Sequence, residues 1–340
     1  MDGCGQRRRR GVTAIALALW ALGLALVVGC GSSRDPAPAP RPRVGLLISP
    51  QGLGDRGFND LAHAALRQAE GRGQVELVLI EPAHLPDQEA TLRFFAGQQL
   101  AAVIAMGESF AEGLRAVASS HPEVQFFLID ARVEGPNLHG IVFREEEGSF
   151  LCGALAALVA PGQPLGFVGG MDTPTIARFQ RGFAAGARHV APGAEVLTRY
   201  VASDASGFHQ ASAARELARG LYASGCAVIY HAAGGSGLGV IAAAVGCGRY
   251  AIGCDMEQDQ LAPGRVLTSM LKRVDVVVQE VVAAIAAGRP PGEICRSWGL
   301  AEGGIALSGY TYSAEVVPAL VQERIRILTA DLLAGRIKID

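Results

Sequence analysis

Asp255 and the glycine-rich segment upstream of it are the first residues whose types suit ligand chemistry. The segment at 231–239 reads HAAGGSGLG and lies between an apolar run and a helix-like run. Gly234 and Gly235 leave room for backbone N–H groups to approach a hydroxylated or anionic ligand, and an aspartate at a strand end can accept hydrogen bonds from paired hydroxyls. The glycine spacing, G-x-G-x-G, departs from the dinucleotide-binding fingerprint. A tight turn followed by a helix-capping aspartate is the alternative.

Phe58 and Asn59 form a second group of candidates, in a loop at 49–60 that reads SPQGLGDRGFND. An exposed Phe58 would supply a flat apolar face for a ring, and the Asn59 amide can donate to and accept from the edge of a base or sugar. The composition is equally consistent with an Asn59 that only caps the following helix and a Phe58 that packs beneath the loop.

Lys272 is a third candidate because lysine is rare in this chain. Of the 30 basic residues, only Lys272 and Lys338 are lysines. A compact ammonium on a flexible stem reaches a carboxylate in places where a planar guanidinium does not fit. We therefore interpret Lys272 as a pocket residue, with retention by chance at an exposed position as the alternative.

The elements that must position these residues follow an alternating pattern. Short β-branched or apolar runs alternate with longer alanine-rich runs of helical period, which is typical of parallel sheets covered by helices on both faces. Strands are predicted at 44–48, 75–80, 102–105 and 124–129 in a first unit, and at 165–168, 195–200, 227–230 and 250–253 in a second. Helices are predicted between them, and a long helix at 269–287 closes the second unit.

Two such units predict an α/β protein with two Rossmann-like lobes joined by a hinge, and a ligand cleft between the carboxyl ends of their strands. The chain is predicted to cross between the lobes near 143–147, 267–272 and 290–294. The predicted lobes are 43–142 with about 268–292, and 143–267 with about 293–340.

The amino-terminal segment is typical of a bacterial lipoprotein. Arginines at 7–10 precede an uncharged apolar run at 11–28, and a small residue precedes Cys30. This pattern predicts a signal peptide at 1–29 that is cut before Cys30, which then carries acyl chains and anchors the protein to a membrane of the cell envelope. The Pro/Ala-rich stretch at 30–42 predicts an extended tether. A transmembrane helix of about 18 residues is the alternative.

The charge balance gives no indication of a basic surface for nucleic acid, so we expect no nucleic-acid partner. The whole chain has a formal charge of −2. Residues 1–29 hold four arginines and one aspartate, so 26 basic and 31 acidic residues remain after them. This net negative charge does not attract the protein to a polyanion such as nucleic acid.

The remaining cysteines are predicted to be core residues, because they show no metal-binding spacing and most lie in apolar runs. They are Cys152, Cys226, Cys247, Cys254 and Cys295. Whether any of them pair in disulfides is left open, since an exported protein permits either state.

An ordered series of motifs resembles the basic membrane protein family of bacterial lipoproteins. The series covers essentially the whole mature chain: GDRGFN at 54–59, FREEEG at 143–148, VGGMD at 168–172, RF at 178–179, GFAAG at 182–186, HAAGGSGLG at 231–239, GCD at 253–255, LTSMLKRVD at 267–275 and GRIK at 335–338. The resemblance implies a type I periplasmic-binding-protein fold and the solute-binding subunit of an ABC importer. It also implies a purine nucleoside as the typical ligand, an ABC permease as the partner, a monomeric state, and no cofactor or metal.

The same resemblance implies roles for individual residues. Phe58 would stack on a base and Asn59 would contact its polar edge. Gly234 and Gly235 would approach the sugar, and Asp255 would hold the ribose hydroxyls.

Lys272 would lie beside the sugar, and Ser49, Glu108 and Asp204 complete the predicted ligand-binding set. Two of these positions depart from the family pattern. The family usually has an aspartate where this chain has Ser49, and a second aromatic where it has Asp204. Phe208 is available as a substitute for that aromatic.

Two other classes of protein compete with a transport binding protein. A nucleoside hydrolase could use Asp55, Asp60 and Asp255, but the sequence has no nucleophile elbow, calcium-type aspartate cluster or metal-binding histidine pair. We therefore expect no enzymatic activity. A ligand-sensing lipoprotein is the other alternative, and it would need a separate partner because the sequence has no helix-turn-helix segment.

Overall fold

The strands of this protein form two six-stranded sheets in the computed structural model, which describes residues 40–81, 88–294 and 296–339. The strands are β1 (Arg43–Leu47), β2 (Glu76–Ile80), β3 (Ala102–Met106), β4 (Gln125–Ile129), β5 (Leu138–Phe143), β6 (Leu165–Gly169), β7 (Val196–Tyr200), β8 (Val228–Ala232), β9 (Tyr250–Asp255), β10 (Val266–Lys272), β11 (Ser297–Trp298) and β12 (Ile305–Leu307). The α-helices are α1 (Phe58–Gly71), α2 (Gln88–Ala96), α3 (Ala111–Ala118), α4 (Glu145–Val159), α5 (Pro174–Val190), α6 (Ala211–Ala223), α7 (Gly237–Cys247), α8 (Val274–Ala286) and α9 (Ala319–Leu333).

The first sheet has the strand order β11-β5-β4-β3-β1-β2, and its paired strands are parallel. Successive side chains of a strand point to opposite faces, so Leu46 and Ile104 join one apolar cluster while Leu47 and Val103 join another. Both faces are buried, which explains the continuous apolar runs of these strands. The parallel order brings the carboxyl ends of β1, β3 and β4 to the same edge.

The second sheet has the order β12-β10-β9-β8-β6-β7. Its strands pair in parallel except for β12, which is antiparallel to β10. Phe167 and Tyr230 pack in one cluster, whereas Val168 and Ile229 pack in another, so this sheet is also buried on both faces. The predicted α/β architecture of two Rossmann-like units is confirmed.

Helices α4 and α5 approach each other closely because glycines face the partner backbone. A Cβ atom on Gly153 would overlap the carbonyl oxygen of Phe183, and one on Gly186 would overlap that of Phe150. The close approach holds the two helices against each other along their lengths. Glu145, at the start of α4, and Arg178, in the second turn of α5, form an ion pair.

The chain crosses between the sheets after β5, after β10 and after β11. The first crossing lies within the predicted range. The second follows Lys272, because β10 belongs wholly to the second sheet, so the predicted division at 268 falls inside a strand. The third lies between Trp298 and Ile305, later than the predicted 290–294.

The predicted helix at 269–287 is wrong over its first residues, which form the end of β10; α8 begins at Val274. The short apolar run before Lys272 is compatible with either a buried strand or a buried helix, and periodicity alone cannot separate the two. Strand β5 was not predicted, nor was α9 at the carboxyl terminus.

The cysteine prediction holds for three of the four cysteines that the structure describes. Cys152, Cys226 and Cys254 are buried, whereas Cys247 is exposed near the end of α7, and all four are free thiols. Cys295 and the predicted lipid attachment site, Cys30, lie outside the described residues. Within the described ranges, no helix combines the length and apolar character needed to cross a membrane.

Candidate functional site

A cavity of about 340 Å³ lies where loops from the carboxyl ends of the two sheets meet. Seven of the nine predicted ligand-binding residues line this cavity: Ser49, Phe58, Glu108, Asp204, Gly234, Asp255 and Lys272. Asn59 and Gly235 are not among the lining residues. The lining also includes residues that were not predicted as ligand-binding residues, among them Asp130, Thr175, Phe179 and Cys254.

Lys272 is the centre of a buried charge cluster at one end of the cavity. Its side chain is 2% exposed, and its Nζ donates to Asp130 Oδ2 at 2.6 Å and to Glu145 Oε1 at 2.9 Å. The ammonium also lies 5.0–5.5 Å from the ring centroids of Phe58, Phe143 and Phe179. These contacts agree with the interpretation of Lys272 as a pocket residue.

Burial opposes the charged form of Lys272, but the carboxylates of Asp130, Glu145 and Asp255 outweigh it and raise the pKa of the ammonium. Glu145 is itself fixed, because its Oε2 accepts a hydrogen bond from Arg178 Nε at 2.6 Å. The cluster is therefore a preorganised cation between carboxylates.

Asp130 is a cavity residue that the sequence analysis missed. It follows β4 with a left-handed backbone, at φ 75°, and burial raises the pKa of its carboxyl. Its Oδ2 accepts from Lys272, whereas its buried Oδ1 has no hydrogen-bond partner among the described residues. The available signal was an aspartate directly after a predicted strand, the same signal that identified Asp255.

Asp255 closes the carboxyl end of β9, also with a left-handed backbone at φ 69°. Burial raises the pKa of its carboxyl to about 6, with Lys272 acting in the opposite direction. A Cβ atom on Gly57 would lie 3.2 Å from Asp255 Oδ2, so the loop of the first lobe approaches this carboxylate closely. Asp255 thus faces the cavity from the second lobe while Asp130 faces it from the first.

The start of α1, which carries Phe58, is held by the side chain of Asp55 rather than by that of Asn59. The Asp55 carboxylate accepts from the backbone N–H groups of Gly57, Asn59 and Asp60 at 2.8–3.2 Å. The N–H groups of Asn59 and Asp60 belong to the first turn of α1 and lack helix partners, so Asp55 satisfies them from the preceding loop. Burial raises the pKa of the Asp55 carboxyl.

Asn59 lies behind Ser49 instead of on the cavity surface, so the structure does not place it as the predicted polar base contact. Its Oδ1 accepts from Ser49 N at 3.1 Å and from Ser49 Oγ at 3.0 Å, and its Nδ2 donates to Gly52 O at 2.7 Å. The side chain is fully buried. Asn59 therefore positions Ser49 and the loop between them.

Aromatic side chains from both lobes form apolar walls. Phe58 comes from the first lobe, and Phe208 comes from the second, where it packs against Gly170 and Gly234. A Cβ atom on Gly170 would overlap the Phe208 ring, so glycine is needed at that position. Phe208 lines the cavity.

Asp204 lies at the exposed rim of the cavity. Its Oδ1 accepts from the backbone N–H of Ser206 at 2.9 Å, and hydrogen bonding by Ser206 lowers the pKa of its carboxyl. The residue thereby caps the short helix that carries Phe208.

The two lobes touch each other directly around the cavity. Besides the ion pair between Lys272 and Asp130, Thr175 Oγ1 in the second lobe donates to Glu108 Oε2 in the first at 3.4 Å. Gln258 Nε2 in the second lobe donates to Arg56 O in the first at 3.2 Å. The structure therefore represents a closed arrangement of the lobes.

His231, the first residue of the glycine-rich motif, lies behind the cavity. It is fully buried, its Nε2 lies 3.0 Å from Gln258 Oε1, and burial lowers its pKa to about 4. The ring packs against Gly237, where any Cβ atom would overlap it. Within the described ranges, no three His, Cys, Asp or Glu side chains are placed to hold a metal ion.

The sequence of this chain is similar to those of known solute-binding proteins and basic membrane proteins. The family model described as ABC transporter substrate-binding protein PnrA-like matches residues 43–334. The chain is 30% identical to basic membrane protein A of Borreliella afzelii over 82% of this chain and 86% of that protein. It is 28% identical to the CD4+ T-cell-stimulating antigen of Listeria monocytogenes over 85% of this chain and 87% of that protein.

A solved structure supports the fold. An ABC transporter solute-binding protein from Aeropyrum pernix superposes with a TM-score of 0.79 at 26% identity, covering 87% of this chain and 92% of that one. The two-sheet architecture of the present chain is thus the type I periplasmic-binding-protein fold, as predicted.

Proposed function

The chain belongs to the family of PnrA-like ABC transporter substrate-binding proteins, and on that premise we propose that it binds a nucleoside in the cavity between its lobes for an ABC importer. A purine nucleoside is the favoured ligand. The partner is the permease of that importer, and the protein acts as a monomer without converting its ligand.

The observation that carries this proposal is the combination of two chemistries in one cavity. Phe58 and Phe208 offer flat apolar surfaces, which suit a base. Asp130 and Asp255 present carboxylates from opposite lobes, and Lys272 lies between carboxylates at the same end. Carboxylates accept hydrogen bonds from vicinal hydroxyls, so this end suits the ribose diol.

Asp130 Oδ1 strengthens the assignment of a hydroxylated group to this end. A buried acceptor without a partner is costly, and a ligand hydroxyl would satisfy it. A ligand that bonds Asp130 from one lobe and Asp255 from the other would favour the closed arrangement, because it would bind that arrangement more tightly than an open one.

Calorimetry with guanosine, inosine, adenosine, cytidine and ribose tests the proposal. We expect nucleosides to bind and free ribose to bind far more weakly, because ribose lacks the stacking ring. Binding of ribose alone would overturn the nucleoside assignment. Chromatography of the recovered ligand should show unchanged nucleoside, and release of free base would indicate a hydrolase instead.

The proposed location is the cell envelope, where acyl chains on Cys30 would anchor the protein to a bacterial membrane so that it faces the periplasm or the exterior. The supporting observation is the arginine-led apolar segment that ends at Cys30. Replacing Cys30 with alanine in the full chain should move the protein from the membrane fraction to the soluble fraction. An unmodified Cys30 inside an intact chain, found by mass spectrometry, would contradict the anchor.

A further inference from the structure

The side chains of Ser49 and Glu108 form one wall of the cavity. Hydrogen bonds from neighbouring residues leave both of them able only to accept hydrogen bonds from a ligand. Ser49 follows β1 and Asp130 follows β4, with β3 between them in the sheet. Two strand spacings are about 10 Å. The Ser49 wall is therefore separate from the charge cluster of Lys272, at a distance that suits the far edge of a ligand whose sugar lies near Asp130.

The Ser49 hydroxyl is forced to offer lone pairs to the cavity. Asn59 Nδ2 lies 2.7 Å from the carbonyl oxygen of Gly52, which can only accept, so the amide nitrogen must face Gly52. Asn59 Oδ1 then faces Ser49, and the Ser49 hydroxyl must donate its single proton to it at 3.0 Å. Ser49 Oγ can therefore only accept a hydrogen bond from a ligand.

Glu108 adds a carboxylate to the same wall. A Cβ atom on Gly107, which has φ 101°, would lie 3.8 Å from Ser49 Cβ, so the turn before Glu108 adjoins Ser49. Thr175 Oγ1 accepts a hydrogen bond from Arg178 Nη2 at 3.2 Å and therefore turns its proton towards Glu108 Oε2. An ionised carboxylate accepts hydrogen bonds only, so this second group also requires donors from the ligand.

Given the nucleoside function proposed above, we propose that Ser49 and Glu108 select a base edge with adjacent N–H donors, which is the edge of guanine. Guanine offers N1–H and the N2 amino group side by side, a pair that matches the two oxygens of a carboxylate. Hypoxanthine lacks the amino group. Adenine places the N1 lone pair next to its amino group, so a carboxylate there meets an acceptor.

Two other polar residues of the lining, Gln51 and Ser109, do not set this preference. An amide can turn either its oxygen or its nitrogen to a ligand, and a free hydroxyl can rotate. The selectivity therefore comes from Ser49, whose proton is engaged by Asn59, and from Glu108.

Calorimetry on the wild-type chain with guanosine, inosine, adenosine and 1-methylguanosine tests the selection directly. Guanosine should bind at least about tenfold more tightly than each of the other three. Inosine lacks the N2 amino group, adenosine lacks the N1–H, and the methyl group of 1-methylguanosine replaces the N1 hydrogen. Adenosine or inosine binding as tightly as guanosine would overturn the selection while leaving nucleoside binding intact. Absence of binding by every nucleoside would overturn both proposals.

The variant Glu108→Gln tests the residue. The carboxamide keeps one acceptor and places a donor opposite the base, so guanosine affinity should fall about tenfold and the guanosine-to-inosine ratio should approach one. Glu112→Gln is the matched control, because Glu112 is exposed in the first turn of α3 and does not line the cavity. An unchanged ratio in a Glu108→Gln protein that binds inosine normally would overturn the role of Glu108.

Discussion

Gln258 in the second lobe donates a hydrogen bond from Nε2 to the carbonyl oxygen of Arg56 in the first lobe. The same side chain accepts at Oε1 from the backbone N–H of Cys254 and from His231 Nε2. One buried amide therefore connects the strand end that carries Asp255 to the loop that carries Phe58. Opening of the lobes must break its contact with Arg56, so this bond contributes to the closed arrangement.

Replacing Gln258 with methionine, which is similar in length but cannot donate, should speed ligand release. A hydrogen bond contributes about 0.5–1.5 kcal/mol, so the dissociation rate should rise about two- to tenfold. Stopped-flow release of the bound nucleoside measures this rate. Gln279→Met is the control, because the Gln279 amide bonds Gln68 on an exposed surface. Equal release rates for both variants and the wild type would show that the bond does not hold the lobes closed.

The sequence predicted those parts of the fold whose signals are local. Strand β1 was predicted at 44–48 and observed at Arg43–Leu47, because glycine and turn residues bound its apolar run. The end of β10 was misread as helix, since its Met-Leu-Lys run has no bounding turn before the helix pattern of α8. Pairing with β9 and β12 determines the conformation of this segment, and the sequence pattern does not show which strands will pair.

A site residue could be predicted from the sequence where its type is rare in this chain. It could not be predicted where its role depends on contacts with residues distant in the sequence. Lys272 was conspicuous because the chain otherwise uses arginine. Asp130 follows a predicted strand as Asp255 follows another, but its ion pair with a residue 142 positions away cannot be read from the sequence. Asn59 was interpreted as a ligand contact because its hydrogen bonds to Ser49 and Gly52 cannot be read from composition.

Removing the Lys272 ammonium should destabilise the fold strongly. Lys272→Met leaves the buried carboxylate of Asp130 unpaired and deprives Glu145 of one of its two cationic partners. Breaking a buried ion pair in this way costs about 3–5 kcal/mol. Urea unfolding at neutral pH measures the loss. Lys338→Met, at the only other lysine, is the control, because Lys338 is exposed. A loss below about 1 kcal/mol at position 272 would show that the cluster contributes little.

His231 should make the free energy of unfolding depend on pH in the acid range. Burial lowers its folded pKa to about 4, whereas an unfolded histidine has a pKa of about 6.5, so only the unfolded chain takes up the proton between these values. Its contribution is complete above about pH 6.5 and is lost as the pH falls towards 4. At pH 5 the loss is about 2 kcal/mol.

Asp255 acts in the opposite direction, because its raised pKa favours proton uptake by the folded state as the pH falls from about 6. The histidine effect is therefore isolated by comparing the wild type with His231→Gln, which retains a donor for Gln258. The wild type loses about 2 kcal/mol of unfolding free energy between pH 7 and pH 5 because of His231, and the variant should not show this loss. At pH 5, relative to pH 7, the variant should therefore be about 2 kcal/mol more stable than the wild type is. Identical pH profiles for the two proteins would contradict a neutral, buried His231.

Asp255 should govern both the affinity for a nucleoside and its pH dependence. Burial raises the pKa of this carboxyl to about 6, so the ionised acceptor is present above that pH and is lost below it. Because hydrogen bonds to a charged acceptor contribute about 1.5–3 kcal/mol, Asp255→Asn should weaken binding at pH 7.5 at least about tenfold.

Asparagine is the suitable replacement at position 255, because it tolerates the left-handed backbone at φ 69° better than alanine does. Wild-type affinity should fall as the pH is lowered from 7.5 to 5, whereas the affinity of Asp255→Asn should change little, since the variant has no carboxylate to protonate there. Asp331→Asn, on α9 outside the cavity lining, is the control for loss of a negative charge. Calorimetry on the three proteins at both pH values measures the six affinities. A variant as strongly pH-dependent as the wild type would assign the titration to another group, and a variant that binds as tightly as the wild type would remove Asp255 from the site.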